Sequence, residues 1–135
     1  MRVVFDTNIY ISAFVFAGGS AESAVQKILN NEDTLITSKA IIEETLRILA
    51  EKFERNVEEL SRTAVFMSEI ATTVAPTERL AVLADEPDNR ILECAIEGGA
   101  DNVVTGDKAM LSLALYQGIE VISLRSYLSN NRYSQ

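Results

Sequence analysis

Residues 2–8 read Arg-Val-Val-Phe-Asp-Thr-Asn, and residues 102–107 read Asn-Val-Val-Thr-Gly-Asp. Each stretch contains a short apolar run, typical of a buried strand, that is followed closely by polar residues including an aspartate. In open parallel sheets, sites form outside the carboxyl ends of the strands. We therefore expect Asp6 and Asp107 to share one pocket.

Outward from these stretches, short β-type runs alternate with helical stretches, which favours an α/β fold with a parallel sheet. The predicted strands are 2–5, 34–37, 72–74, 102–104 and 120–122. The predicted helices in the first half are 9–16, 20–30 capped by Ser20, a helix capped by Ser38, and 57–70. The helix after Ser38 has its apolar stripe at Ile42, Leu46, Leu49 and Phe53. In the second half, one helix begins at Asp88 and ends at Gly98-Gly99, another follows Asp107 and runs through Leu115, and a helical turn at 124–128 closes the chain. The length of 135 residues predicts a single domain over 1–135.

Composition narrows the class of protein. The chain is 47% apolar and 24% charged, the balance of a soluble globular domain. No apolar run reaches the roughly 20 residues that cross a bilayer, and the apolar run after Arg2 is broken at once by Asp6, unlike a signal peptide. The single cysteine, Cys94, agrees with a reducing compartment. We expect a cytoplasmic protein with no membrane segment.

Charge and missing residue types restrict the chemistry. The net charge is −8, which is unusual for a nucleic-acid enzyme but permits a cation site or a basic protein partner. There is no histidine, so a Ser-His or Cys-His nucleophile system is excluded, and no Gly-x-x-x-x-Gly-Lys loop is present for nucleotide phosphates. Since Cys94 falls inside a predicted helix, the remaining candidate ligands are oxygens, which favour Mg²⁺ or Mn²⁺ over zinc.

Two further acidic residues are candidates for the same pocket, and both also have ordinary explanations. Asp88 opens a predicted helix, and Glu44 lies in the second turn of the helix after the second predicted strand. Asp88 and Asp107 are also good helix N-caps. Glu44 lies off the apolar stripe, where a glutamate is usually solvated, and its neighbour Glu43 does not differ from it by helical pattern.

Four motifs in order carry a resemblance to the PIN domain family. Residues 3–8 resemble the family's opening strand and Asp-Thr-Asn, and Ser38 with Glu44 six residues later resembles its Ser-x-x-x-x-x-Glu helix. Residues 88–95 are similar to its third acidic helix, and residues 105–107 match its Thr-x-Asp. The resemblance extends from Met1 to about Leu128 and implies a three-layer α/β/α sandwich with a central, mainly parallel sheet.

The resemblance also implies a function. Asp6, Glu44, Asp88 and Asp107 would be the metal-binding and catalytic carboxylates of a Mg²⁺- or Mn²⁺-dependent endoribonuclease. Asn8 and Thr105 would be supporting polar groups, and Asp85 at most an outer-shell group. The chain is similar to the prokaryotic toxin-like (VapC-like) branch, whose members are ribonucleases held by an antitoxin, so we expect RNA as substrate, an antitoxin partner and a homodimer. Within the Glu-Glu pair, the spacing from Ser38 predicts Glu44.

Two other functions stay open from sequence. A Mg²⁺-dependent aspartyl phosphotransfer domain also has an Asp after its first strand. However, a dehalogenase-like phosphatase requires a second Asp two residues after the first, and this chain has Asn8 there. A receiver domain requires a pair of acidic residues near the first strand, and residues 2–5 contain none. A non-catalytic PIN-like interaction module would keep the fold and an acidic pocket without turnover. The intact set of four carboxylates argues against that second alternative.

Overall fold

A computed structural model describes residues 1–129 of the chain, in which a six-stranded sheet is flanked by helices. The strands are β1 (Arg2–Phe5), β2 (Thr34–Ser38), β3 (Ala71–Val74), β4 (Asn102–Val104), β5 (Leu115–Tyr116) and β6 (Ile119–Ile122). Their order across the sheet is β3-β2-β1-β4-β6-β5, with every neighbouring pair parallel except β5 and β6. The helices are α1 (Thr7–Val15), α2 (Ser20–Leu29), α3 (Lys39–Phe53), α4 (Val57–Ile70), α5 (Glu86–Glu97), α6 (Lys108–Leu111) and α7 (Leu124–Ser129). Within residues 1–129, no helix has the length and apolar content of a membrane span.

Helices cover both faces of the sheet, which confirms the predicted three-layer sandwich. On one face the ring of Phe5 packs against Tyr10 of α1 and Tyr127 of α7, with ring centroids 5.9 and 5.8 Å away. On the other face the end of α5 approaches β2 so closely at Gly98 that a Cβ atom there would collide with Ile36. Ile36 is the register partner of Val4, whose side chain points away from that of Phe5 because successive side chains of a strand alternate.

The last part of the sheet is a hairpin where sequence predicted a helix through Leu115. Helix α6 ends at Leu111, and β5 pairs antiparallel with β6. The turn residues Gln117 and Gly118 have φ of 48° and 82°, the left-handed pair that suits a two-residue hairpin. The apolar residues before this turn favour a helix as much as a strand, so their pattern alone misled the prediction.

Two predicted helix details are also wrong. Gly19 occupies the N-cap of α2, and Ser20 is the first helical residue. In α3 the fully buried stripe is Ile41, Thr45 and Leu49. Thr45 can be buried because its hydroxyl donates to the carbonyl of Ile41, 2.8 Å away. The predicted stripe is displaced by one residue at Ile42 and Leu46 and is correct at Leu49, since Thr45 was not counted as a buried residue.

Candidate metal centre

The candidate site lies where the chain connections diverge at the middle of the sheet. β1 and β4 are neighbours, but the chain leaves β1 toward β2 on one side and leaves β4 toward β6 on the other. The crevice outside the carboxyl ends of two such strands is the usual ligand site of an open parallel sheet. Phe5 and Val104 are register partners, and the amide of Asp6 donates to the carbonyl of Val104 at 2.9 Å. The residues after both strands therefore enter one crevice.

A threonine hydroxyl connects the two aspartates of this crevice. Thr105, which is fully buried, donates its hydroxyl to Asp6 Oδ2 at 2.6 Å and accepts the amide of Asp107 at 2.9 Å. Asp107 is the N-cap of α6, and its Oδ1 accepts the amides of Ala109 and Met110 at 2.7 and 3.2 Å. Asp6 is the N-cap of α1 but makes no side-chain capping bond there. Capping therefore explains the presence of Asp107, whereas it does not explain Asp6.

Helix α5 brings two more carboxylates to the same place. Carboxylate oxygens of Asp85, Asp88 and Asp107 all lie within 4.8 Å of one another. The prediction that Asp88 caps the helix is wrong, because Asp85 is the N-cap residue and Asp88 lies in the first turn. Asp85 also makes no side-chain capping bond. Asp85, Asp88 and Asp107, together with Asp6, are called the aspartate cluster below.

The aspartate cluster carries the electrostatic marks of crowded carboxylates. Burial, followed by the charges of Asp107, Asp6 and Asp85, raises the pKa of Asp88 to about 7. Burial also raises the pKa of Asp6, a shift that the hydroxyl of Thr105 opposes. Both directions show that the folded protein disfavours the ionised forms. A positive charge near the aspartate cluster would therefore stabilise its ionised carboxylates.

The donor set fits a hard divalent cation. Asp88 Oδ2 is buried and has no hydrogen-bond partner among residues 1–129. Over the same residues, no lysine or arginine forms an ion pair with any member of the aspartate cluster. A buried carboxylate oxygen without donor or counter-charge is costly, and it is what a coordinated cation would relieve. The ligands present are carboxylate oxygens, which suit Mg²⁺ or Mn²⁺.

Glu44 lies beside the aspartate cluster and outside the group of mutually close carboxylates. Its carboxylate pairs with Arg47 on the next turn of α3, and its side chain is 18% exposed. Glu44 lines a cavity of about 210 Å³ together with Thr7 and Pro87, the neighbours in sequence of Asp6 and Asp88. The structure therefore places Glu44 on the wall of the adjoining cavity.

The two residues predicted as supporting groups differ in their surroundings. Thr105 makes the two hydrogen bonds described above. Asn8 is exposed on α1 and makes no side-chain hydrogen bond within the described part of the chain. Sequence reasoning gave Asp85 only an outer position. The signal that could have placed it closer is its spacing of three residues from Asp88, which puts both carboxylates at the first turn of one helix.

The raised pKa of Asp88 predicts a pH-dependent loss of stability in the metal-free protein. A carboxyl group that titrates near 7 when folded and near 4 when unfolded binds more protons in the folded state between those pH values. In EDTA, stability should therefore fall as the pH rises from 4 to 7. Asp88→Asn should reduce this fall, leaving the part due to Asp6, whose pKa is also raised, and should exceed the parent at pH 8 by on the order of 2 kcal/mol. Urea unfolding at pH 4.5 and 8 measures it, and an unchanged pH slope in the variant would contradict it.

Comparisons with known proteins give one family and one fold. The family model described as PIN domain matches residues 2–109. An uncharacterized protein of Methanocaldococcus jannaschii is 28% identical over 117 residues, covering 84% of this chain and 75% of that protein. The structure of VapBC2 from Rickettsia felis bound to a DNA fragment from their promoter aligns with TM-score 0.65 and 14% identity over 91% of this chain and 98% of that one. VapBC-1 from nontypeable Haemophilus influenzae aligns with TM-score 0.66 and 18% identity over 93% and 99%. At 14% and 18% identity, these two solved structures show that this chain has the same fold, and no more than that.

Proposed function

The chain belongs to the PIN domain family, and from that premise we propose that it is a metal-dependent endoribonuclease that hydrolyses RNA phosphodiester bonds. The observation that carries the proposal is the aspartate cluster at the carboxyl ends of β1 and β4, with one buried carboxylate oxygen to which no group of residues 1–129 hydrogen-bonds. Phosphodiester hydrolysis requires an activated water and neutralisation of charge on the phosphoryl oxygens. An anionic, all-oxygen pocket without histidine can meet both requirements by holding a divalent cation.

Asp6, Asp88 and Asp107 would hold Mg²⁺ or Mn²⁺ in this site, with Glu44 acting from the adjoining cavity. A divalent ion held by these carboxylates would supply Lewis acidity and an activated water. The chain's own groups fix the ligands beforehand: the Thr105 hydroxyl orients Asp6, and the first amides of α6 orient Asp107. Ligands held in this way lose less freedom on binding than mobile side chains would.

The cavity beside the cluster is the proposed place for the RNA strand. Its walls include Glu44 and two arginines, Arg79 and Arg90. Arg90 is committed to the protein, because it bonds to the carbonyl of Leu80 and to two glutamates. Arg79 is more available, because 74% of its side chain is exposed and its one ion pair within residues 1–129 is a 3.8 Å contact with Glu86. In a chain of net charge −8, Arg79 is the local cation best placed to meet a phosphate.

The test of the activity is cleavage of total RNA by the purified chain with and without chelator. We expect fragments in millimolar Mn²⁺, no cleavage in EDTA, and recovery when excess Mn²⁺ is restored. Incorporation of phosphate at Asp6 from a small phosphodonor would support the phosphotransfer alternative instead. Mn²⁺ binding with no cleavage of RNA from any source would mean a non-catalytic interaction module.

We further propose that the protein is the toxin of a toxin-antitoxin pair. Two solved structures whose fold this chain shares are those of VapBC proteins. An active ribonuclease would harm its host, so the cytoplasm should contain an inhibitor, and the net charge of −8 favours a basic or amphipathic one. Pull-down from the native host should recover a small protein encoded nearby, and light scattering should give a homodimer. Harmless overexpression with no protein recovered would argue against the toxin role.

A further inference from the structure

One side of α5 carries three polar residues that bond to the segment preceding the helix; the first two are buried and the third, Glu97, is exposed. Asn89, Glu93 and Glu97 recur every fourth residue and lie along one side of the helix. They face residues 75–85, the segment between β3 and α5 that has neither helix nor strand, which is called the strap below. Asn89 is completely buried and Glu93 is 5% exposed. Polar residues buried so deeply in a helix need partners, and the strap supplies them.

Asn89 uses the whole hydrogen-bonding capacity of its amide on the strap and the start of α5. Its Oδ1 accepts the backbone amides of Val82 and Leu83 at 3.0 and 2.8 Å. Its Nδ2 donates to the carbonyl of Leu83 at 2.8 Å and makes longer contacts, at 3.5 and 3.4 Å, with the carbonyl of Asp85 and with Glu86 Oε1. A side-chain amide offers two donors and an acceptor oxygen. Asn89 alone therefore satisfies backbone amides and a carbonyl of the strap that would otherwise need a neighbouring strand as partner.

The other two members of the row hold the strap farther from the cluster. Glu93 Oε2 accepts the amide of Leu80 at 2.7 Å and pairs with Arg90 at the same distance. At the beginning of the strap, Glu97 Oε1 accepts the amide and hydroxyl of Thr77 at 3.1 and 3.3 Å. The strap is thus fixed at three successive levels along α5, and the bonds of Asn89 are those nearest its end.

The end of the strap is Asp85, a residue in an unusual position. Aspartate is favoured at a helix N-cap because its carboxylate accepts a backbone amide there. Asp85 occupies the N-cap of α5 but makes no such bond, and it forms no ion pair within the part of the chain that the structure describes. Its carboxylate lies instead within 4.8 Å of those of Asp88 and Asp107. Like charges at that distance repel, so a bound cation would stabilise the arrangement.

We propose that Asn89 is a positioning residue that places Asp85, through the strap, as an additional carboxylate of the cation site. This inference rests on the proposed metal-dependent function and adds to it. Asn89 holds Leu83, two residues before Asp85, by two hydrogen bonds of 2.8 Å and makes a longer contact of 3.5 Å with the carbonyl of Asp85 itself. Loss of the Asn89 side chain would remove the hydrogen bonds that hold the end of the strap, next to Asp85. The sheet and α5 would keep their own backbone hydrogen bonds.

The test is calorimetric Mn²⁺ binding by the full chain and by four variants: Asp85→Asn, Asn89→Ala, the double variant of these two, and Glu97→Ala. Asp85→Asn and Asn89→Ala should each weaken Mn²⁺ binding by about 10-fold or more, the range found when groups that orient ligands are removed. The double variant should bind no more weakly than Asp85→Asn, because both changes remove the same contribution. Glu97→Ala is the matched control on the same helix and strap, and its affinity should stay within about 2-fold of the parent.

The outcomes separate this inference from the proposed function. If the parent binds no Mn²⁺, both are overturned. If the parent binds and Asp85→Asn binds equally well, the inference alone is overturned, whether or not Asn89→Ala folds. If the losses of the two single variants multiply in the double variant, Asn89 does not act through Asp85 and the inference is also overturned. Melting in EDTA should show the Asp85→Asn variant at least as stable as the parent, which excludes misfolding as the cause.

Discussion

Asp6→Asn should abolish Mn²⁺-dependent RNA cleavage, with a loss of at least about 100-fold, since a metal's stabilisation of transition-state charge is worth several kcal/mol. Asp6 is 4% exposed, and its Oδ2 is held by the Thr105 hydroxyl, so it is a preorganised member of the cluster. The amide of Asn has nearly the same shape, and its oxygen can still accept from Thr105. The change therefore removes a charge and a ligand and little else.

The same variant should be at least as stable as the parent when metal is removed. Burial raises the pKa of Asp6, and the charges of Asp107 and Asp85 raise it further, so the ionised carboxylate destabilises the metal-free fold. Thermal melting in EDTA and in millimolar Mn²⁺ measures this, and Mn²⁺ should raise the melting temperature of the parent much more than that of Asp6→Asn. A variant that melts well below the parent in EDTA would mean that Asp6 is a structural residue.

Glu44→Gln should lose metal-dependent cleavage by about 10-fold or more, whereas Glu43→Gln should keep it within about 2-fold. Both changes remove one negative charge from neighbouring positions of α3, so they are matched. Glu44 is directed to the cavity beside Asp6 and Asp88, while the Glu43 side chain is 64% exposed and pairs at 4.0 Å with Lys39. Initial rates on one RNA at saturating Mn²⁺ decide between them. Loss in Glu43→Gln with activity kept in Glu44→Gln would reverse the assignment.

The sequence predicted the centre of the fold well because its signals there are local. β1 was predicted with its observed bounds, and Asp6 and Asp107 do enter one crevice. Buried parallel strands appear as continuous apolar runs, and strand neighbours in such folds follow simple rules. The hairpin at Leu115–Ile122 was missed because its pairing depends on a left-handed turn at Gln117, which apolar pattern does not encode.

Local sequence pattern predicted the aspartates that follow strands but not the position of Asp85 at the start of α5. Asp88 looked like a helix cap because caps are read from short-range pattern, but the strap moves the cap to Asp85. The strap owes its path to side chains of α5 that are four residues apart in sequence, and Asn89 and Glu93 look like solvated residues until their partners are known. Contacts between an irregular segment and a helix side depend on tertiary structure, so single-sequence patterns do not reveal them.

The most direct test of the central claim is anomalous diffraction at the manganese edge from crystals of the full chain soaked in MnCl₂. The claim is that the aspartate cluster is a divalent-cation site. The predicted result is an anomalous peak bordered by the carboxylates of Asp6, Asp88 and Asp107, which are the ligands proposed above for Mg²⁺ or Mn²⁺. The peak should be absent from Asp6→Asn crystals soaked in the same way. No peak at the cluster in parent crystals at millimolar Mn²⁺, or peaks only elsewhere on the surface, would contradict the claim.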